Sequence, residues 1–241
     1  MKKSIILAAG KGTRMRSDLP KVVHELCGRA MINRVLDVTK EIGCGEDIVV
    51  VGYRRDVVEN TIDREVKYAE QTEQLGTGHA VMQAKDYINP EDTIFVLYGD
   101  MPLFTKETLE NMMKYHEDTN ADVTIGSVIF GEDCRYGRII KDENGNVKKV
   151  TEYKDATDEE RKISEMNAGP AIYNGAVLLD ALSKLSNDNA QGEYYLTDVV
   201  EIANKEGKKV NSFVFENTDE AFGANSPEEL AQAEEIWNSR K

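Results

Sequence analysis

Runs of apolar and β-branched residues recur along the chain, with amphipathic stretches between them. Residues 4–9, 47–52, 93–98, 122–128 and 210–215 have the length and content of strands, and Ile48-Val49-Val50-Val51 carries no polar residue. A run without a polar face suits a parallel strand covered on both sides. Between the first two runs, Ile32, Val35, Leu36 and Ile42 share one face of a helix that Gly43 stops. Further helices are predicted at 78–87, 106–117 and 196–205. Strands alternating with helices across short joints predict an open α/β sheet.

The second half breaks that rhythm. Segments 138–141 and 146–153 flank Glu143-Asn144-Gly145, and Asn-Gly between β-like runs predicts a hairpin. A second strand pair is predicted at 171–173 and 176–179, around Asn174-Gly175. Hairpins inserted late in such a unit form a flap or mixed sheet over its carboxyl edge, where these folds bind ligands. Ser226-Pro227-Glu228-Glu229 opens a last helix, with Ser as N-cap, Pro in the first turn and acids beside the helix dipole. Its Leu230, Ala233 and Trp237 stripe suits packing on its own sheet, on a second subunit or on a further domain. No flexible linker divides the chain, which reads as one domain over 1–226 followed by a helix at 227–241.

Composition narrows the class. The 241 residues are 40% apolar, enough for a core, and no run approaches the ~20 apolar residues of a membrane span. The run at 4–9 is also too short for a signal peptide. Cys27, Cys44 and Cys134 are widely spaced, which argues against a disulfide framework and for a reducing, cytoplasmic setting. A net charge of −14 disfavours nucleic acid and anionic lipid as partners. Residues 1–30 nevertheless carry +5, from Lys2, Lys3, Lys11, Arg14, Arg16, Lys21 and Arg29 against Asp18 and Glu25. A small anionic ligand near the N-terminus would explain that reversal; a solvated basic loop would also produce it.

Directly after the first strand comes Leu7-Ala8-Ala9-Gly10-Lys11-Gly12-Thr13-Arg14-Met15. Gly10 and Gly12 let a backbone approach an anion and turn N–H groups toward it. Arg14 can grip phosphate oxygens with a fork, and Lys21 supplies a point charge. Neither the P-loop pattern nor the dinucleotide fingerprint G-x-G-x-x-G is present.

This loop, with Leu19-Pro20-Lys21 after it, resembles the signature of the sugar-1-phosphate nucleotidyltransferases. More closely it is similar to the uridylyltransferase part of the bifunctional bacterial enzymes that make UDP-N-acetylglucosamine. Gln71-Thr72-Glu73-Gln74-Leu75-Gly76-Thr77-Gly78-His79-Ala80, Tyr98-Gly99-Asp100-Met101-Pro102-Leu103, Gly137-Arg138-Ile139 and Gly192-Glu193-Tyr194-Tyr195-Leu196-Thr197-Asp198 follow in the family's order. The resemblance implies a Rossmann-like, mixed and mostly parallel sheet flanked by helices, with a hairpin flap over its carboxyl edge. It implies uridylyl transfer from UTP to N-acetylglucosamine 1-phosphate with release of pyrophosphate, and Mg²⁺ as cofactor.

By the same resemblance, Arg14, Lys21 and Asp100 carry the chemistry, and Asp100 shares the metal with Asn225. Leu7, Ala8, Ala9, Gly10, Gly12, Lys21, Gln71, Gly76, Thr77, Tyr98 and Gly99 would line the nucleotide. Gly137, Glu152 and Asn167 would face the sugar, and Tyr194 and Tyr195 are further candidates for the pocket wall. On the residues alone, Asp100 also suits a turn before Pro102, and Thr77 suits the cap of the following helix. His24, His79 and His116 receive no catalytic role. The sequence departs from the family in three ways: no left-handed β-helix segment follows, Asn167-Ala168-Gly169-Pro170 replaces Asn-Thr-Gly, and Gly223-Ala224-Asn225-Ser226-Pro227 surrounds the metal asparagine. Rival expectations are another sugar phosphate such as glucose 1-phosphate, a cytidylyl- or thymidylyltransferase, and a sugar-nucleotide-binding module without turnover. The oligomeric state is not legible.

Overall fold

In the computed structural model, which describes residues 1–131 and 134–240, the apolar runs form strands of a single large sheet. β1 (Lys2–Leu7) leads through two short 3-10 turns to the hairpin β2 (Glu25–Leu26) and β3 (Arg29–Ala30), then to α1 (Met31–Glu41). β4 (Glu46–Val51), α2 (Arg55–Thr61), β5 (Lys67–Glu70) and α3 (Thr77–Gln83) follow. Next come β6 (Thr93–Tyr98), α4 (Lys106–Asp118) and β7 (Val123–Ile129). The hairpin β8 (Arg138–Lys141) and β9 (Val147–Thr151) precedes a long β10 (Glu165–Asn174) and α5 (Gly175–Leu182). α6 (Asp198–Lys205), β11 (Val210–Val214) and α7 (Pro227–Ser239) close the order.

The main strand order is β11-β7-β10-β6-β1-β4-β5. β1 pairs in parallel with β4 on one side and β6 on the other, while β10 runs antiparallel between β6 and β7. From β1 the chain winds outward to β4 and β5, then returns to β6 across β1. That reversal opens a crevice at the carboxyl ends of β1 and β6, the usual ligand position in such sheets.

Alternation along the strands sorts the core into two layers. Ile5, Leu7, Ile48, Val50, Ile94 and Val96 face α3, α5 and α6, whereas Ile6, Val49, Val51, Phe95 and Leu97 face α1 and α4. The expected helix around Ile32, Val35, Leu36 and Ile42 is α1, and Gly43 does follow it in the left-handed region (φ 76°).

The two hairpin predictions fare differently. Glu143-Asn144-Gly145 does turn β8 into β9: Gly145 has φ 83°, and Asp142 Oδ1 accepts from the Asn144 and Asn146 amides at 2.9 Å. The pair predicted at 171–173 and 176–179 is not a hairpin. Residues 171–173 end β10, and 176–179 lie in α5, where Val177, Leu178, Ala181 and Leu182 are buried at helical spacing. Gly175 is not a turn residue there. Its backbone abuts the 89–92 loop so closely that a Cβ would stand 2.1 Å from Asn89 O. The Asn-Gly pair thus marks a close backbone approach at a helix start.

α7 packs on its own chain. Leu26, Met31, Leu103, Ala224 and Ala233 form a small apolar cluster with Leu230 and Trp237 at its edge. The Arg34 guanidinium lies 3.9 Å from the centre of the Trp237 ring, and Arg240 Nη1 donates to Leu103 O at 2.5 Å.

Candidate active site

Where β1 leaves the sheet, Ala8 N donates to Val50 O at 2.9 Å and Gly99 N donates to Leu7 O at 3.0 Å. These last rungs bring the ends of β1, β4 and β6 together. Gly12 sits in the left-handed region (φ 68°), and a Cβ there would stand 2.5 Å from Lys21 Cβ. The loop therefore folds down onto the Lys21 stem. Gly10 is exposed with no atom within 4 Å of its missing Cβ, leaving open space above the strand end. Met15 anchors the loop from below at 3% exposure, while Arg14 reaches toward solvent and α7.

The basic N-terminal segment is not one patch. Lys2 and Lys3 lie at the opposite end of β1, where Lys3 pairs with Asp92 at 2.8 Å. Arg29 is held by Asp37 and Asp63. Lys11, Arg14, Arg16 and Lys21 are left beside the crevice, with Arg14 near Glu229 (3.6 Å) and Arg16 near Glu228 (3.4 Å).

Asp100 follows β6 and meets Lys21. Lys21 Nζ donates both to Asp100 Oδ2 and, at 2.8 Å, to Asn225 Oδ1. Asn225 comes from the other end of the chain, and Ala224 N fastens its loop by donating to Asp100 O at 3.0 Å. Gly99 is required by packing, since a Cβ would stand 2.9 Å from Val22 Cγ1. Two hard oxygen donors thus converge on a single cationic point.

Two cavities adjoin there. The first, about 410 Å³, is lined by Leu7, Ala8, Ala9, Gly10, Lys21, Gln71, Gly76, Thr77, Tyr98 and Asp100. Gln74 and Glu193 also line it and had not been singled out; their polarity inside otherwise matching motifs was the available signal. Gln71 is 3% exposed, and its Nε2 donates to Gly76 O at 3.1 Å and lies 3.1 Å from His79 Nδ1. With the nitrogen engaged, the amide oxygen is the group left to accept a hydrogen bond. The cap of α3 is Gly76 rather than Thr77, whose hydroxyl accepts from Leu196 N at 3.1 Å. Gly76 has φ 106°, and a Cβ would stand 2.6 Å from Tyr194 O. Gly76→Ala is therefore expected to displace the 74–78 loop and raise the KM for whatever substrate occupies this cavity about tenfold or more, with a smaller fall in kcat, in steady-state kinetics.

The second cavity, about 300 Å³, gathers Arg14, Gly137, Glu152, Asn167 and Asn225 and shares Thr77, Tyr98 and Asp100 with the first. Met101, Arg135, Tyr136, Ala168, Gly169 and Gly223 complete its wall. Asn167 Oδ1 accepts from Gly169 N at 3.1 Å, and the register of β10 against β7 shifts between Asn167 and Ala171. Gly169 (φ 103°) lies against the Tyr98 ring at this irregularity. Tyr194 and Tyr195 line neither cavity: Tyr194 packs beside His79, and the Tyr195 hydroxyl donates to Asp155 Oδ2 at 3.1 Å.

Burial raises the Glu152 carboxyl above its ordinary value, opposed by the Thr197 hydroxyl that donates to it at 2.9 Å. Burial, reinforced by the charges of Glu152 and Asp100, likewise raises the Tyr98 phenol, which stays neutral. Behind Glu152, burial together with Glu201, Glu152 and Asp155 pushes Asp198 up to about 6. A raised carboxyl makes the folded state hold its proton longer than the unfolded chain does, so stability falls as pH rises through that window. Asp198→Asn is expected to raise Tm at pH 7.5 by roughly 2–4 °C. The gain should vanish below the ordinary carboxylate range, where Asp198 is neutral in both states; thermal melts across pH check this.

These features describe an open α/β domain whose two adjoining cavities lie at the topological switch point of its sheet. The chain belongs to the MobA-like NTP transferase domain family, whose model matches residues 4–199. It is 49% identical over 238 residues to the "Bifunctional protein GlmU" of Clostridioides difficile (strain 630), covering 99% of this chain and 52% of that protein. The protein of the same name from Caldanaerobacter subterraneus subsp. tengcongensis is 48% identical over 237 residues, with 98% and 52% covered. The chain thus spans about half the length of the curated relatives it matches. A crystal structure of UDP-glucose pyrophosphorylase complexed with UDP-glucose superposes with a TM-score of 0.81 over 100% of both chains. At 19% identity, that likeness shows the fold.

Among the described residues no helix is long and apolar enough to cross a membrane.

Proposed function

We propose that the chain transfers a uridylyl group from UTP to N-acetylglucosamine 1-phosphate, giving UDP-N-acetylglucosamine and pyrophosphate. The observation that carries this reading is the meeting of the two cavities at Lys21, Asp100 and Asn225, so that a nucleotide in one and a sugar phosphate in the other would abut at a cationic point. The half-length identity to the GlmU proteins supports the substrate pair.

In this reaction a sugar phosphate oxygen forms a bond to the α-phosphorus, and the bond to the β-phosphate oxygen breaks. No protein nucleophile is required; positioning and charge neutralisation do the work. Lys21 neutralises the reacting phosphates, Arg14 receives the leaving pyrophosphate, and the open backbone over Ala8–Gly12 approaches the triphosphate. Gln71, Gly76 and Thr77 hold the base, while Gly137, Glu152 and Asn167 orient the sugar.

Asp100 and Asn225 fit Mg²⁺: both offer oxygen, and they already converge on one cation, the Lys21 ammonium. Such an ion takes few protein ligands and completes its shell with water and phosphate. No group of three or more His, Cys, Asp or Glu side chains that could hold a metal exists among the described residues. When bound there, Mg²⁺ supplies charge neutralisation to the triphosphate.

Ala168 favours a second reading, with glucose 1-phosphate as acceptor. It lines the sugar cavity where the family carries a hydroxyl, so one hydrogen-bonding group beside the acetamido position is lost. A coupled pyrophosphate-release assay across UTP, CTP and dTTP with N-acetylglucosamine 1-phosphate and glucose 1-phosphate separates these readings. Mg²⁺-dependent turnover highest with UTP and the acetylated sugar is the expected result. A preference for CTP or dTTP removes the uridylyl assignment, and sugar-nucleotide binding without turnover makes the chain a binding module.

A further inference from the structure

α7 opens with the pattern of a capping box, in which a glutamate in the first turn ordinarily returns to the amide of the N-cap residue. Ser226 Oγ does accept from Glu229 N at 3.1 Å. The Glu229 carboxylate, however, reaches one residue further back: Oε2 accepts from Asn225 N at 2.7 Å. Its other oxygen, Oε1, lies 3.6 Å from Arg14 Nη1. The Glu229 side chain is 33% exposed, so its charge-assisted bond to the amide is partly shielded from water.

Asn225 is held from a second direction as well. Its Nδ2 donates to Gly223 O at 3.0 Å, which turns Oδ1 toward Lys21 and Asp100. The amide that Glu229 grips is thus the point through which α7 fixes where that oxygen stands.

We propose that Glu229 is a positioning residue: one carboxylate oxygen sets the backbone of Asn225, and with it the metal-binding oxygen, while the other ties Arg14 to the same anchor. The proposal rests on the Asp100–Asn225 metal reading. Groups that orient metal ligands from behind are worth roughly 10–100-fold in metal affinity. The Arg14 arm is the weaker one, since Arg14 is largely exposed and such pairs contribute little. It breaks whenever a polyphosphate claims Arg14, and the Asn225 arm does not.

The test is titration of the full chain with Mn²⁺ alone, following free Mn²⁺ by electron paramagnetic resonance. Glu229→Ala is expected to weaken Mn²⁺ binding roughly tenfold. Glu229→Gln, whose amide oxygen still accepts from Asn225 N, is expected to restore it to within about twofold of the parent. Ala233→Gly loosens α7 at a fully buried position away from the site, and should lower Tm while leaving Mn²⁺ affinity unchanged. Parent-like binding by Glu229→Ala overturns the proposal. So does a Gln variant as weak as Ala, or an equal loss in Ala233→Gly, which would reduce Glu229 to a helix cap. Parent-like binding by Asp100→Asn brings down the metal reading itself, and the role of Glu229 with it.

Discussion

Lys21→Ala is expected to lower turnover by roughly 10²–10³ while the chain stays folded. Lys21 lines the first cavity, and its ammonium bridges Asp100 and Asn225, both of which line the second. Its stem is pinned under Gly12, so the charge is delivered at a fixed place and little reorganisation is needed when phosphates arrive. Lys21→Arg should not rescue, because a planar fork on a longer stem cannot occupy the same point charge position. Lys21→Ala should also bind Mn²⁺ more tightly than the parent in the absence of nucleotide, since the ammonium competes for the same two oxygens. Steady-state kinetics and a metal titration together decide it. Near-parent turnover removes Lys21 from the chemistry, and unchanged metal affinity removes it from the cation position.

Much of the sheet was legible because its central strands β1, β4 and β6 are buried on both faces and carry continuous apolar stretches. β1, β4, β6, β7 and β11 all fall within a few residues of their expected positions. β10 was shorter in expectation than in fact because it crosses the site. Its start, Glu165–Asn167, meets the hairpin at Arg138 and the second cavity at Asn167, and so lacks the apolar run that announces a core strand. α5 was misread because Asn174-Gly175 imitates a turn, whereas the glycine serves a close approach to Asn89. β5 and α2 passed unnoticed: both are short, and each contributes little buried surface, with Ala69 and Val58 their buried residues.

The site divides along similar lines. Residues that must be glycine, or that sit at the end of an apolar strand, announce themselves by type and place; Gly12, Gly99 and Asp100 are of this kind. Glu152 looks like any outward residue of a hairpin strand, and it becomes a cavity residue because β8 and β9 fold across the carboxyl edge. Asn225 lies 125 residues beyond Asp100, so the resemblance could pair them but no local spacing could. Glu229 was legible as a helix-start acid, and its grip on Asn225 depends on a loop geometry that the sequence does not display.

Asp100→Asn is expected to be at least as damaging as the loss of Lys21, with turnover down by roughly 10³ at low millimolar Mg²⁺. The substitution is isosteric, and the backbone bond from Ala224 N to Asp100 O survives it, so the fold and the position of Asn225 should be retained. What disappears is the negative charge that Asp100 brings to the cation point; an amide oxygen is a far poorer ligand for a hard, strongly hydrated ion. The defect should therefore appear as an upward shift in the Mg²⁺ concentration needed for half-maximal rate. Mn²⁺, which accepts weaker donors more readily, should recover more activity than Mg²⁺. Asn225→Ala removes a neutral donor from the same point and should shift the metal requirement less, by roughly tenfold. The order of the two variants is the diagnostic: a charge outranks a dipole wherever a divalent ion is bound. If Asn225→Ala proves the more severe, or if neither variant changes the metal requirement, Asp100 acts on Lys21 alone and the two oxygens do not share an ion.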